Sequence, residues 1–413
     1  MGKWIKTALG CGVLYGVLSG LCAPALANTT ATIAQAQAAG NSPGRSQSTG
    51  LHQTAPSTVP TTPAVPLVPV VRMALLLPLD SAALGRAAEA VRAGFMAAYE
   101  RDKDGVIVTL IETDDSVQQT LSGYKDAVGN QDLVVGPLSR AGVSAIAQSG
   151  AVRIPTIALN QAETAGAEAL APSALPRNLL LMGLSLDDEA RQVADWASAG
   201  QTERRALIVS TNAAWQRRAA KAFGAQWQRR GLHAQSMVLG FASGFLDGNG
   251  LDQLRHRIQN EKPALLFVAL DAEQTRQLRE AVGQDVVMYG TSQLNPYALP
   301  DWDTAERLPQ LEQVHLLDLP WQLQADHSAV MAYPRTTLPA DQRRSVDLER
   351  LYALGIDAYR VAREIAARHA HFEIDGVTGK LRVDFGAGAT RFERIEQTAI
   401  YQDGAVVPDF AAQ

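Results

Sequence analysis

Beyond residue 27 the chain contains no cysteine; its only two, Cys11 and Cys22, fall in the first 27 of 413 residues. Once that segment is removed, disulfides, thiolate metal sites and cysteine nucleophiles are all excluded. Aromatic residues make up only 6%, too few for a platform that stacks single-stranded bases. Concentrated positive charge is also missing. Formal charge is −5 and becomes −7 when Lys3 and Lys6 leave with the first 27 residues, whereas phosphate binding needs a dense basic face. No apolar run after the N-terminal one approaches the ~20 residues that a membrane-spanning helix requires.

Catalytic signatures are absent as well. There is no Gly-x-Ser-x-Gly elbow, Walker loop, Rossmann glycine fingerprint or His-Glu-x-x-His helix. His369 and His371 diverge at i, i+2 spacing on a helix and read as partners of its C-terminal dipole. Asp247-Gly248-Asn249-Gly250 has the opening of a calcium loop, but Leu251 and Ile258 stand where oxygen ligands are needed, so a turn is expected. No metal, cofactor or catalytic residue is expected.

What is there begins with an export signal. Met1 to Lys6 is basic, Thr7 to Leu21 is apolar, and Ala25-Leu26-Ala27 offers small residues for cleavage before Asn28. Leu21 directly precedes Cys22, and Gly10-Cys11 comes too early, so soluble export to the periplasm is favoured over an outer-membrane lipid anchor. Residues 28–70 hold six of the 20 prolines and one charged residue, Arg45. Such a segment cannot bury apolar area and reads as a disordered linker.

From Val71 the pattern alternates short apolar runs with helical periodicity. Val71 to Leu77 reads as a buried strand, and Leu84, Ala88, Val91, Phe95 and Ala98 form one apolar helix face. Strands at 106–111, 133–135 and 156–159 alternate with helices at 117–128 and 143–148. After 179–182 a second series follows, with helices at 187–199, 215–230, 251–260 and 273–281 between strands at 206–209, 234–239, 264–269 and 286–289. Continuously apolar strands between helices predict parallel sheets covered on both faces. The expected fold class is α/β, two doubly wound lobes around a cleft. Lobe one should comprise 71–183 with 300–372, and lobe two 184–299 with 373–410. A helix over 347–370, apolar at Leu351, Leu354, Ala358, Val361 and Ile365, should return to the first sheet, and strands at 380–384 and 392–401 should close the chain.

The order of elements resembles the type I periplasmic binding fold, and particular strings narrow it. Met73-Ala74-Leu75-Leu76-Leu77-Pro78-Leu79 with Ala90-Val91-Arg92-Ala93-Gly94-Phe95 resembles the opening of the penicillin-binding protein activator family (LpoA-like, LppC domain). So do Val134-Val135-Gly136-Pro137-Leu138, Ala158-Leu159-Asn160-Gln161, Gly290-Thr291-Ser292-Gln293, Asp318-Leu319-Pro320-Trp321, the run from Leu351 to Tyr359, and Asp375-Gly376-Val377-Thr378-Gly379. The resemblance spans about 71 to 408. It implies a noncatalytic periplasmic partner that stimulates a class A penicillin-binding protein in peptidoglycan synthesis. Longer family members carry an N-terminal helical-repeat domain, for which a 43-residue proline-rich segment has no room.

The alternative is a solute-binding protein of an amino-acid importer, which shares the fold. That class implies a hydroxyl pair after the third strand and an acid near the last strand of lobe two. Here Ser139 stands alone beside Arg140, and Thr291-Ser292-Gln293 contains no acid, so a buried ammonium would lack its anion. Ser139, at a strand-to-helix turn, together with Asn160 and Ser292, are the candidate contacts for a small cleft ligand. A capping role explains Ser139 equally. Trp321 is the candidate partner contact, with core packing as the other reading. Arg217-Arg218 and Arg229-Arg230 read as solvated helix surface.

Overall fold

The computed structural model describes residues 70–163, 175–199, 205–298, 307–335, 345–386, 388 and 390–410. The expected signal, 1–27, and all but Val70 of the expected linker lie outside them.

The first lobe opens with β1 (Val71–Leu77), α1 (Gly85–Arg101), β2 (Val106–Glu112), α2 (Val117–Asn130), β3 (Leu133–Val135), α3 (Arg140–Gln148), β4 (Thr156–Ala158) and β5 (Leu179–Leu181). Its five strands form a parallel sheet in the order β2-β1-β3-β4-β5. The apolar run of β1 serves two cores at once. Met73, Leu75 and Leu77 enter the core shared with α1, while Ala74 and Leu76 face Tyr124 and Ala127 of α2 on the other side. A central parallel strand has no solvated face, which is why its sequence does not alternate.

The second lobe contributes α4 (Leu186–Ser198), β6 (Arg205–Ser210), α5 (Ala214–Arg229), β7 (His233–Val238), a small hairpin of β8 (Phe241–Ala242) and β9 (Phe245–Leu246), α6 (Gly248–Glu261), β10 (Leu265–Ala269), α7 (Ala272–Val282), β11 (Met288–Gly290) and β12 (Val314–Asp318). After β12 come α8 (Pro320–Leu323), α9 (Ser328–Met331), α10 (Val346–Ala366), β13 (His371–Asp375), β14 (Lys380–Asp384), β15 (Arg391–Ile395), β16 (Gln397–Gln402) and β17 (Ala405–Pro408). The larger sheet runs β17-β16-β12-β11-β10-β6-β7, with only β16 and β17 antiparallel to their neighbours. As in β1, alternate residues of β10 feed two cores: Leu266 and Val268 face α6 and α7, whereas Phe267 stacks on Phe223 of α5.

Two expected boundaries move. Val314–Asp318 falls in the 300–372 segment expected in lobe one, yet β12 pairs in parallel with β11, Met288 opposite Val314, and so belongs to the second sheet. Residues 373–395 are expected in lobe two. The strands of that segment form instead, with the start of β13, the antiparallel sheet β13-β14-β15, whose Ile374, Leu381 and Val383 join the core of α1 and α10. The extended stretch 392–401 is therefore two strands in different sheets, divided at Glu396.

Helix α10 is sandwiched between α1 and the small sheet, so its buried residues run almost all the way round from Tyr352 to Ala362. One of them is an acid. Asp357, fully buried, accepts hydrogen bonds from the backbone N–H of Val377 (3.2 Å) and Thr378 (2.8 Å) and from Thr378 Oγ1 (2.7 Å). The Asp375–Gly379 turn is thereby fastened to the middle of α10, which ties two of the sequence strings together. A buried carboxylate with its acceptors filled this way is tolerated in an apolar core.

Candidate functional site

The chain passes between the lobes three times: between β5 and α4, at Leu319 between β12 and α8, and at Glu396 between β15 and β16. Charged side chains converge on these crossings. Arg350, on α10 and 5% exposed, donates from Nε to Asp318 Oδ1 (3.1 Å) and from Nη2 to Asp318 Oδ2 (2.7 Å). The same Nη2 reaches the carbonyl of Ser292 (3.0 Å), and Nη1 reaches Asp347 (3.0 Å). Asp318 also accepts from Asn295 Nδ2 (2.8 Å) and from the Leu319 N–H (2.8 Å). Burial disfavours the guanidinium charge, but Asp318 outweighs it, and the pKa of Arg350 is raised. A bidentate fork of this kind fixes orientation as well as charge.

A second arginine acts at the other crossings. Arg394 of β15, also buried, donates to the carbonyls of Met182 (3.0 Å) and Gly183 (2.9 Å) and to Thr378 Oγ1 (3.1 Å). Burial lowers its pKa. The first crossing is thus held to the third, and both to the Asp357-bound turn.

Two glutamates complete the cluster. Glu189 lies in the first turn of α4, whose N-terminus is capped by Ser185. Its carboxylate accepts from the Ser292 N–H (2.7 Å) and Ser292 Oγ (3.2 Å). Burial pushes its pKa up to about 7 against these stabilising contacts. Glu396 is raised well above the ordinary carboxylate range, first by burial and then by the charge of Glu189. A cavity of about 270 Å³ opens here, bordered by Leu184, Glu189, Ser292, Asp347, Arg350 and Leu351.

The sequence candidates divide accordingly. Ser139 is the N-cap of α3, its Oγ accepting from the Gly142 N–H (3.1 Å). Asn160 lies beside it, donating from Nδ2 to the carbonyl of Leu138 (2.9 Å) while Oδ1 accepts from the Gln161 N–H (2.9 Å). Ser292 borders the 270 Å³ cavity, and neither Ser139 nor Asn160 does. Expecting no acid beside Thr291-Ser292-Gln293 needs correction, because Glu189 arrives there from 103 residues away. Trp321 as a partner contact is corrected too. It is 0% exposed, lies in the core against Tyr352, and donates its backbone N–H to the Val377 carbonyl (2.9 Å).

His369 does not end the long helix beside His371. α10 stops at Ala366, His369 contacts Glu364 (2.6 Å), and His371 starts β13 opposite Asp384 (2.8 Å). Asp247 caps α6 through the Gly250 N–H (2.8 Å). Among the described residues no group of three or more His, Cys, Asp and Glu side chains is placed to hold a metal, and no helix is long and apolar enough to cross a membrane.

Arg350, Glu189, Arg394 and Glu396 leave no mark in the local sequence pattern. Only Asp318 carries a usable signal, as an acid ending the apolar run Val314-His315-Leu316-Leu317.

Comparison with known proteins places this architecture. Residues 43–238 match the family model described as "LppC putative lipoprotein". The chain is 25% identical over 346 residues to the penicillin-binding protein activator LpoA of Photobacterium profundum, covering 76% of this chain and 53% of the relative. It spans about half the length of that curated relative. Among solved structures, one from Chromobacterium violaceum ATCC 12472, described as a "putative branched-chain amino acid ABC transporter", is 32% identical with a TM-score of 0.61, over 80% of this chain and 99% of that one. The C-domain of LpoA (YraM) from Haemophilus influenzae, described as a regulator of PBP1A, is 21% identical with a TM-score of 0.60, over 82% and 99%. At that identity the likeness concerns the fold. With the order of its motifs and its two-lobed architecture, the chain has the type I periplasmic-binding-protein fold, matches the LppC family model over residues 43–238 and is similar to the activator LpoA.

Proposed function

We propose that this protein is a noncatalytic periplasmic activator of a class A penicillin-binding protein and that it stimulates peptidoglycan synthesis by binding. The observation that carries the reading is the stitching of the lobe crossings by Arg350 and Arg394. A transport receptor closes on its solute by rotating its lobes, and opening a buried ion pair across the hinge leaves desolvated charge without a partner. An activator needs a stable exterior that prefers one state of its partner. Kinship with LpoA points the same way, as does the commitment of Ser139, Asn160 and Ser292 to bonds within the chain.

Importer-type solute binding is the second reading, favoured by the 32% identity to the Chromobacterium violaceum structure. Capture of class A synthases from the same cell by the purified protein, set against calorimetry with branched-chain amino acids, separates the two. Retention of a synthase without solute binding supports activation; micromolar solute binding without a synthase supports import.

A further inference from the structure

Strand β2 is the outermost of the order β2-β1-β3-β4-β5, and among the described residues no strand lies beyond it. Its sequence is Val106-Ile107-Val108-Thr109-Leu110-Ile111-Glu112, with no proline and a charge only at the last position. It pairs with β1 in unbroken register, from Val71 opposite Val106 to Leu77 opposite Glu112, so no bulge bends it away. Charges, prolines and bulges are what keep an edge strand from pairing, and this one has none before Glu112. The other outer strands differ. β5 has three residues and lies against β15, β17 ends in Pro408, and β7 carries His233, Gln235 and Ser236, with Arg257 bonded to Gln235. On β2, Ile107 is 53% and Leu110 37% exposed, on opposite faces of the strand.

What fits this edge follows from its hydrogen-bonding phase. The Val71 N–H bonds the Gly105 carbonyl (2.8 Å) and the Thr113 N–H bonds the Leu77 carbonyl (3.0 Å). Odd-numbered residues of β2 therefore turn their peptide groups toward β1, and Val108, Leu110 and Glu112 turn theirs outward. An antiparallel partner must set its own outward groups opposite these. The strand does so for itself. Turned about a two-fold axis through Thr109, Val108 falls opposite the second copy's Leu110 in a hydrogen-bonded pair, Ile107 opposite Ile111, and Val106 opposite Glu112. Each exposed apolar residue thus gains an apolar neighbour, and no like charges meet within the strand. The proline-rich segment before β1 does not fit, because Pro56, Pro60, Pro63, Pro66 and Pro69 interrupt any run of alternate N–H donors. We propose that two copies of this chain pair antiparallel through β2, with Thr109 on the two-fold axis, joining their five-stranded sheets into one. The pairing does not depend on whether the protein activates a synthase.

The test is sedimentation velocity of the full mature protein, loaded from sub-micromolar to submillimolar concentration, where a reversible monomer–dimer equilibrium is expected. Thr109 is exposed, so substitutions there spare the core. Thr109→Asp and Thr109→Lys should each weaken the dimer at least about tenfold by setting like charges face to face, and a mixture of the two should dimerise again. Thr109→Cys introduces the only thiol beyond residue 27. It should crosslink under mild oxidation, because a non-hydrogen-bonded antiparallel pair holds its Cα atoms about 4.5 Å apart, within disulfide reach. Val287→Cys, at an exposed position of lobe two, should crosslink far more slowly. Should the charged variants not fold, the two cysteine variants decide. Protein that stays monomeric at every loading overturns the proposal, as does a dimer that folded Thr109→Asp and Thr109→Lys leave intact, or crosslinking no faster through Thr109→Cys than through Val287→Cys. A monomer whose capture of a synthase is lost with Thr109→Asp overturns it too and gives the edge to the synthase.

Discussion

Gly94 and Gly355 bring α1 and α10 backbone to backbone. A Cβ on Gly94 would stand 1.8 Å from the Tyr352 carbonyl oxygen, and one on Gly355 would stand 2.1 Å from that of Val91. Neither obstacle is a flexible side chain, so any larger residue must push the helices apart. Gly355→Ala should destabilise the fold by about 1–3 kcal/mol through overpacking, more than offsetting the better helix propensity of alanine. Urea denaturation checks it; an unchanged or higher midpoint contradicts the close crossing.

Arg350→Met removes the fork on Asp318 and leaves that carboxylate buried with only Asn295 and the Leu319 N–H. The expected loss is about 3–5 kcal/mol. Adding Asp318→Asn should recover a large part of it, since the orphaned charge goes with the partner. A double-mutant cycle showing simple additivity would mean the pair is not coupled.

Glu189 gives the pH dependence a sign. Its pKa is about 7 in the folded protein against 4.5 ordinarily, so between those values the folded state holds a proton that the unfolded state has released. Stability from this group is therefore full below about pH 4.5 and falls as pH rises to about 7, by up to ~3 kcal/mol. Glu189→Gln keeps an acceptor for the Ser292 N–H and cannot ionise. Its melting temperature relative to the parent protein should rise across pH 4.5–7 and then level off. A difference that is flat with pH would contradict the assignment.

Periodicity makes much of this fold legible, because buried parallel strands such as Val71–Leu77 and Leu265–Ala269 are unbroken apolar runs and α1 shows a regular stripe. Strand β12 is harder to see, being five residues long with His315 in its midst. The split at Glu396 is equally hidden: an extended backbone carries no mark of changing sheets. Sites are less legible than elements for a physical reason. Glu189 meets Ser292 across 103 positions and Arg350 meets Asp318 across 32, and such pairings arise from lobe packing rather than local pattern. Trp321 misleads because a tryptophan after proline is compatible with an exposed turn, whereas here Pro320 starts a short helix that drives the indole into the core.

Export is tested by the intact mass of the protein recovered from its own cell. Ala25-Leu26-Ala27 predicts a mature chain that begins at Asn28, with no lipid. Intact mass should match residues 28–413; a diacylglyceryl-modified Cys22 terminus would instead place the protein on a membrane, in line with the lipoprotein description of the family model that residues 43–238 match.

Activation is measured most directly by the rate of glycan polymerisation and crosslinking by a purified class A penicillin-binding protein from the same cell. Adding the mature protein should raise that rate saturably. A coupling of ~1–3 kcal/mol corresponds to roughly 5- to 150-fold where the resting equilibrium leaves room. Heat-denatured protein should have no effect. An unchanged rate with every class A synthase of the cell, together with micromolar binding of a branched-chain amino acid, would contradict activation and assign the protein to solute capture.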